Sequence, residues 1–167
     1  MSGMSYELQA LIGTSELLTV AAAEVPAARV VPLRQGLALI PVTSAVLAAL
    51  QGDGSVRRRG GGAGFGWHSD GFELRLAAWS KAGPIACVEA EYFGGSGTQR
   101  AAVWTDGKVV LGPLTIGEFE PAPAEGTPIS RALRGIGART EEGLADEFES
   151  VGLARRRSTD GWAESAG

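Results

Sequence analysis

Residues 85–113, IACVEAEYFGGSGTQRAAVWTDGKVVLGP, read as three consecutive strands joined by a glycine loop and a tight Asp-Gly turn. Asp106-Gly107 tolerates the positive φ angles of a type I′ hairpin, and the apolar and β-branched residues on either side suit strands. The stretch predicts an antiparallel meander at the centre of the fold. Along its first strand, Val88, Ala90 and Tyr92 point one way while Glu89, Glu91 and Phe93 point the other. Glu89 and Glu91 therefore share a face, roughly 6–7 Å apart along the strand. Such a pair suits a cation, acid/base chemistry, a basic partner or a solvated sheet face.

The glycine loop Gly94-Gly-Ser-Gly97-Thr98-Gln99 superficially suggests a phosphate loop. That chemistry needs a following helix whose amides face the anion, and usually a Gly-Lys-Ser/Thr ending. Here Arg100 to Trp104 reads as a strand, so the glycines serve a turn between strands. Val103, Val109 and Leu111 continue the core.

Upstream, Tyr6 to Ile12 is compatible with a strand or a helix start, and Thr14 or Ser15 supplies an N-cap for a helix over Glu16 to Glu24, ended by Pro26. Ala28 to Leu33 and Gly36 to Val42 form two short strands around an Arg34-Gln35-Gly36 turn. Thr43-Ser44 caps a helix through Leu50. Gly52 to Gly71 is a glycine-rich insert carrying Arg57-Arg58-Arg59, with too little apolar area to order easily and so expected to be a flexible loop; Phe65 and Trp67 stand ready to pin it. Asp70 with Glu73 makes a capping-box-like start to a helix over Phe72 to Lys81, with Phe72, Leu76 and Trp79 on one face.

Downstream, Thr127-Pro128 opens a helix with Thr at N-cap and Pro at N1. Its buried stripe is Ile129, Leu133 and Ile136, and Gly137 closes it. An acidic run follows (Glu141, Glu142, Asp146, Glu147, Glu149), then Arg155-Arg156-Arg157 reverses the sign. Adjacent opposite blocks pair or remain solvated. The expected architecture is a single α+β domain spanning 1–167, an antiparallel sheet with a central three-strand meander packed by about four helices.

The 167 residues suit one domain, and the apolar and charged shares, 44% and 20%, are ordinary. The 25 glycines are in excess but aperiodic, which marks loops. Apolar runs fall far short of the roughly 20 residues of a membrane span, and no secretory pattern opens the chain, so a cytoplasmic location is expected. Cys87, the one cysteine, sits among apolar neighbours and reads as an inert core thiol. His68, the one histidine, falls in the insert. No catalytic constellation, metal-ligand set or cofactor motif emerges. Two arginine triplets raise nucleic acid, but the net charge of −4 and the wide separation of the triplets argue against a basic binding face.

Four segments carry a resemblance: YELQALIG at 6–13, RVVPLRQGLALIPV at 29–42, VEAEYFGGSGTQRAAVW at 88–104 and DEFESVGLARRRSTDGW at 146–162. They resemble a family of small, mostly uncharacterised actinobacterial proteins similar to the immunity proteins of polymorphic toxin systems. The resemblance covers most of the chain except the insert, and no catalytic motif comes with it. It implies a bacterial inhibitor that binds a cognate toxin by protein–protein contact. Acidic surfaces suit that role, since complementary charge steers encounter with a basic enzyme. The candidate contact residues are Glu89, Glu91, Glu141, Glu142, Asp146 and Glu147, with Tyr92, Phe93 and Trp104 as aromatic anchors. The alternatives are a small-ligand protein or enzyme using Glu89 and Glu91, with Tyr92, Gln99 and Arg100 as polar helpers, and an interaction module unconnected with a toxin.

Overall fold

The computed structural model describes residues 5–51, 70–93, 96–118, 120–121 and 123–165, with the side chains of residues 51, 70, 93 and 96 excepted. The insert expected at 52–71 lies almost wholly outside these residues, and so does His68. Strands β1 (Ser5–Thr14), β2 (Val31–Pro32), β3 (Leu37–Pro41), β4 (Ile85–Phe93), β5 (Ser96–Thr105) and β6 (Lys108–Ile116) build one six-stranded sheet in the order β2-β3-β1-β4-β5-β6. Every pairing is antiparallel. The described helices are α1 (Ser15–Ala22), α2 (Ser44–Gln51), α3 (Asp70–Trp79), α4 (Pro128–Gly135), α5 (Glu147–Val151) and α6 (Thr159–Ser165), with a 3-10 turn at Leu153–Arg155.

The fold is α+β, as the sequence predicts, and the meander of β4, β5 and β6 is present. It occupies one half of the sheet, because β1 slots between β3 and β4 and becomes a central strand. The Asp106-Gly107 turn has φ of 52° and 83°, the positive values that a type I′ hairpin needs. Gln35 and Gly36 repeat the device, at 64° and 75°, between β2 and β3. Two helices beyond the expected four, α5 and α6, arise from the charged segment that showed no apolar period.

Helices cover both faces. On one, Leu17, Leu18, Phe72, Leu76 and Trp79 pack over Leu11, Ile40, Ile85, Cys87 and Trp104. On the other, Ile129, Leu133, Val151 and Trp162 pack over Leu8, Ile12, Leu39, Val88 and Val103. Strands buried on both sides lose the alternation of half-exposed strands and read as continuous apolar runs. That is why β3 is buried at all five positions while β6 keeps an alternating pattern.

Local chemistry sets the helix starts. Thr14 Oγ1 accepts from Leu17 N at 3.2 Å, Thr43 Oγ1 from Val46 N at 3.3 Å and Thr127 Oγ1 from Ser130 N at 3.3 Å. Each satisfies an amide that the first helical turn leaves without a partner. Helix α3 stops at Trp79, ahead of the Gly83-Pro84 breaker, as Ser80 Oγ turns back to donate to Ala77 O at 2.8 Å.

Both sheet edges are blunted. Strand β2 is two residues long and ends in Pro32. Strand β6 carries two register shifts and Pro113, with Gly112 at φ 90° where a side chain would strike Ala101 O. Short, bulged, proline-bearing edges resist pairing with other chains.

Candidate functional site

The register places the sequence-predicted carboxylates. Directly opposite residues run in rows across the sheet: Gln9, Glu89, Arg100 and Thr115 form one, and Glu7, Glu91 and Thr98 the next. These rows continue the face on which Leu11, Cys87 and Ala102 lie, by the two-residue alternation of each strand. The face therefore changes character along the strands. Its apolar rows sit beneath α1, α2 and α3, and its polar rows lie toward the other end, where Glu7, Glu91, Thr98 and Thr115 are exposed and Gln9, Glu89 and Arg100 half-buried.

Glu89 and Glu91 do share a face, but they open onto different clefts. Glu91 lines one of about 330 Å³ together with Tyr6, Glu7, Tyr92, Thr98 and Glu118. Glu89 lines another of about 350 Å³ with Gln99, Arg100, Thr115 and Glu120, and Thr98 borders both. Glu89, Arg100 and Glu118 are each engaged in interactions of their own. Glu7 is tied down as well, its carboxylate accepting from Thr159 Oγ1 at 2.5 Å and Thr159 N at 3.2 Å.

The aromatic candidates part company. Trp104 is a core residue, 6% exposed and packed in the layer under α3, so it offers no surface to a partner. Tyr92 is half-buried against the opposite core, and its hydroxyl accepts from Gln99 Nε2 at 3.0 Å. Gln99 in turn accepts from Ile129 N at 3.0 Å through Oε1. Its amide is a strut between β4 and the first turn of α4, where a ligand role had been the alternative reading. The side chain of Phe93 lies outside the described residues.

The second acidic group belongs to the other layer. Residues 141–149 accompany α4 and α5, which pack on the face opposite Glu89 and Glu91. No single flat surface holds both groups. Within the segment, Glu142 is exposed. Glu141 accepts from Gln35 Nε2 at 3.0 Å and stands 3.9 Å from Arg34. Asp146 caps α5, its Oδ1 accepting from Glu149 N at 3.0 Å. Glu147, offered by the sequence as a contact residue, is buried and committed internally: Arg134 Nε donates to it at 2.9 Å. Burial works to raise its pKa, but the Arg134 hydrogen bond and charge, with further hydrogen bonds from the backbone and Thr140, hold it below the usual carboxylate range.

Cys87 is fully buried. Burial pushes its thiol well up, and the Glu89 and Glu73 carboxylates add to the rise, so it stays protonated and unreactive at neutral pH. Among the described residues no group of three or more His, Cys, Asp or Glu side chains is placed to hold a metal ion, and no helix is long and apolar enough to cross a membrane.

Glu7 and Glu118 were missed by sequence reasoning, although both join Glu91 around its cleft. Glu7 was visible as a polar residue alternating with Leu8. Its partner strand was not, because the pairing of β1 with β4 joins segments some eighty residues apart. No protein-family model, curated protein or solved structure matches the chain.

Proposed function

We propose that this chain is a cytoplasmic binding protein of immunity type, which neutralises a basic cognate toxin by docking it on the polar end of the sheet. The observation that carries this reading is that Glu89 and Glu91 line two adjoining open clefts and no common enclosed pocket. Acid/base chemistry wants two carboxylates converging on one enclosed pocket, whereas these line two open clefts that meet at Thr98, with Glu91 exposed and Glu89 half-buried. Glu7, Glu91 and Glu118 ring a depression that Tyr6, Tyr92 and Thr98 also line, a surface whose carboxylates suit lysine or arginine side chains of a partner. The acidic balance of the whole chain, −4, adds long-range attraction for a basic protein. The resemblance to immunity proteins agrees with this use.

The test is affinity capture from the native host with tagged protein, followed by calorimetric titration of the recovered partner. The expected partner is stoichiometric, basic and encoded beside this chain, and co-expression relieves its toxicity. Glu89→Lys with Glu91→Lys abolishes that binding while the thermal melt stays cooperative. Equal binding by the double variant rejects the sheet face as the interface. Recovery of a small molecule in place of a protein favours the paired-carboxylate ligand reading.

A further inference from the structure

A cleft of about 290 Å³ opens on the opposite side of the fold from the acidic rows, between β2 and the segment leading into α6. Val31, Pro32 and Trp162 form its apolar lining, and Arg155 and Arg156 supply its charge. The sequence marked this arginine triplet only as a block of reversed sign.

Arg155 is held in place without being neutralised. Its Nη2 donates to Pro32 O at 2.8 Å and its Nε to Gly152 O at 3.2 Å, both uncharged carbonyls. Its guanidinium carbon stands 5.4 Å from the centroid of the Trp162 ring, a cation–π contact that holds it against the indole. The Trp162 ring is itself 1% exposed, with its indole N–H buried and without a hydrogen-bond partner. A guanidinium carries five N–H donors, so two carbonyl bonds leave three unspent. Gly152, at φ 94°, terminates α5 in the left-handed conformation and directs the chain so that its carbonyl can receive Arg155.

Arg156 follows in extended backbone, φ −128° and ψ 156°, with an exposed side chain. Among the described residues no carboxylate pairs with either arginine, although Asp160 and Glu164 lie a few residues away on α6. In a chain with an excess of acid, Arg155 bonded to neutral carbonyls and the exposed Arg156 beside it bring positive charge to a cleft. A prearranged fork beside a solvent-exposed one is an arrangement suited to tetrahedral and planar oxyanions.

We propose that this cleft is a binding site for a doubly charged oxyanion of the phosphate-monoester type, with Arg155 as the fixed donor, Arg156 as the closing donor and the exposed Pro32 as the apolar wall, the buried Trp162 ring backing Arg155 from beneath. The cleft sits at the lower limit of small-ligand sites, roughly 300 Å³, so it takes the anionic group and little more than a small attached fragment. The site is independent of the toxin-docking face, and its failure would leave that proposal standing.

The experiment follows the arginine side-chain and Trp162 indole N–H signals in ¹H–¹⁵N spectra during titration with inorganic phosphate at constant ionic strength. Saturable shifts at Trp162 and Arg155 are expected, larger at pH 8 than at pH 6 because the dianion is the ligand, with acetate at equal ionic strength giving none. Arg156→Gln, which breaks no internal bond, weakens binding about tenfold, the loss of one charge-assisted contact. Shifts that fail to saturate, that acetate reproduces, or that Arg156→Gln leaves unchanged each overturn the proposal.

Discussion

The Arg134 guanidinium donates to the Glu147 carboxylate at 2.9 and 3.4 Å, while Arg134 Nη2 also donates to Glu125 O at 3.0 Å, so one side chain ties α4 to α5 and to the loop before α4. Glu147 is 5% exposed and Arg134 about half, so the pair has a buried anion and a wet cation. Removing the cation strands the anion.

Arg134→Met is expected to destabilise the domain by about 1–3 kcal/mol at pH 7, toward the lower end because the arginine is half in solvent. The Glu147 pKa is depressed in the folded state, so the pair's contribution is fully present above the unfolded value of about 4.3 and is lost as pH falls through the lower folded value. Urea titrations of wild type and variant at pH 7 and pH 2.5 check this. The difference between them should shrink at the lower pH; a gap of unchanged size would mean that the arginine acts through packing alone.

Thr159→Val addresses the outer edge of β1. Beyond its pairing with β3, Gln9 N donates to Thr159 Oγ1 at 3.0 Å and Glu7 N to Arg157 O at 2.9 Å. Losing the hydroxyl leaves the Gln9 amide and the Glu7 carboxylate short of a partner, at a cost of about 1–2 kcal/mol. Hydrogen exchange at the Gln9 amide should accelerate, while amides of β4 and β5 keep their protection.

Trp104→Phe is expected to change stability by less than about 1 kcal/mol despite the residue's burial, since two effects oppose. The substitution gives up apolar area, but it also removes an indole N–H that is buried with no hydrogen-bond partner, itself a cost of about 1–3 kcal/mol. Trp104→Ala removes the same N–H but gives up far more packed area and leaves a cavity, and should cost roughly 3–5 kcal/mol. Denaturation midpoints of the two variants, set against wild type, check both figures, and the gap between the variants measures the packing of the ring alone.

Gly97→Ala tests the close approach of β5 to β4. A Cβ there would overlap Glu91 O and lie 2.6 Å from Tyr92 Cα, both backbone atoms that cannot swing aside. A loss of roughly 1–3 kcal/mol is expected. A midpoint within error of wild type would show that the strand pair has slack at this position.

Much of this architecture was legible where the cause is local. The Asp106-Gly107 hairpin, the Thr14 and Thr127 caps and the stripe of Phe72, Leu76 and Trp79 each depend on residues within a few positions of one another. The position of β1 was not legible, because strand order is decided by burial across the whole sheet. Helices α5 and α6 were missed because five- and seven-residue helices have too few turns for an apolar period. The alternation of Glu89 and Glu91 was correct, but whether two carboxylates converge depends on strand twist and on β6 and its following loop. Glu147 looked like one more surface acid in a run of them. Only the packing of α5 against α4 turns it inward, toward Arg134.

The placement of β1 between β3 and β4 sets the order in which the domain can be completed. On one side β1 pairs with residues 37–41 and on the other with residues 86–93, while Glu7 and Gln9 are capped by residues 157–159. The strand that comes earliest is thus the last to be enclosed. A nascent chain must keep the largely apolar segment Leu8–Ile12 out of wrong pairings until the meander is made, and such distant closures are slow and expose the segment to aggregation. Transferring β1 to follow β6 through a linker would shorten none of its contacts with β3, yet would let β4, β5 and β6 assemble before the strand arrives.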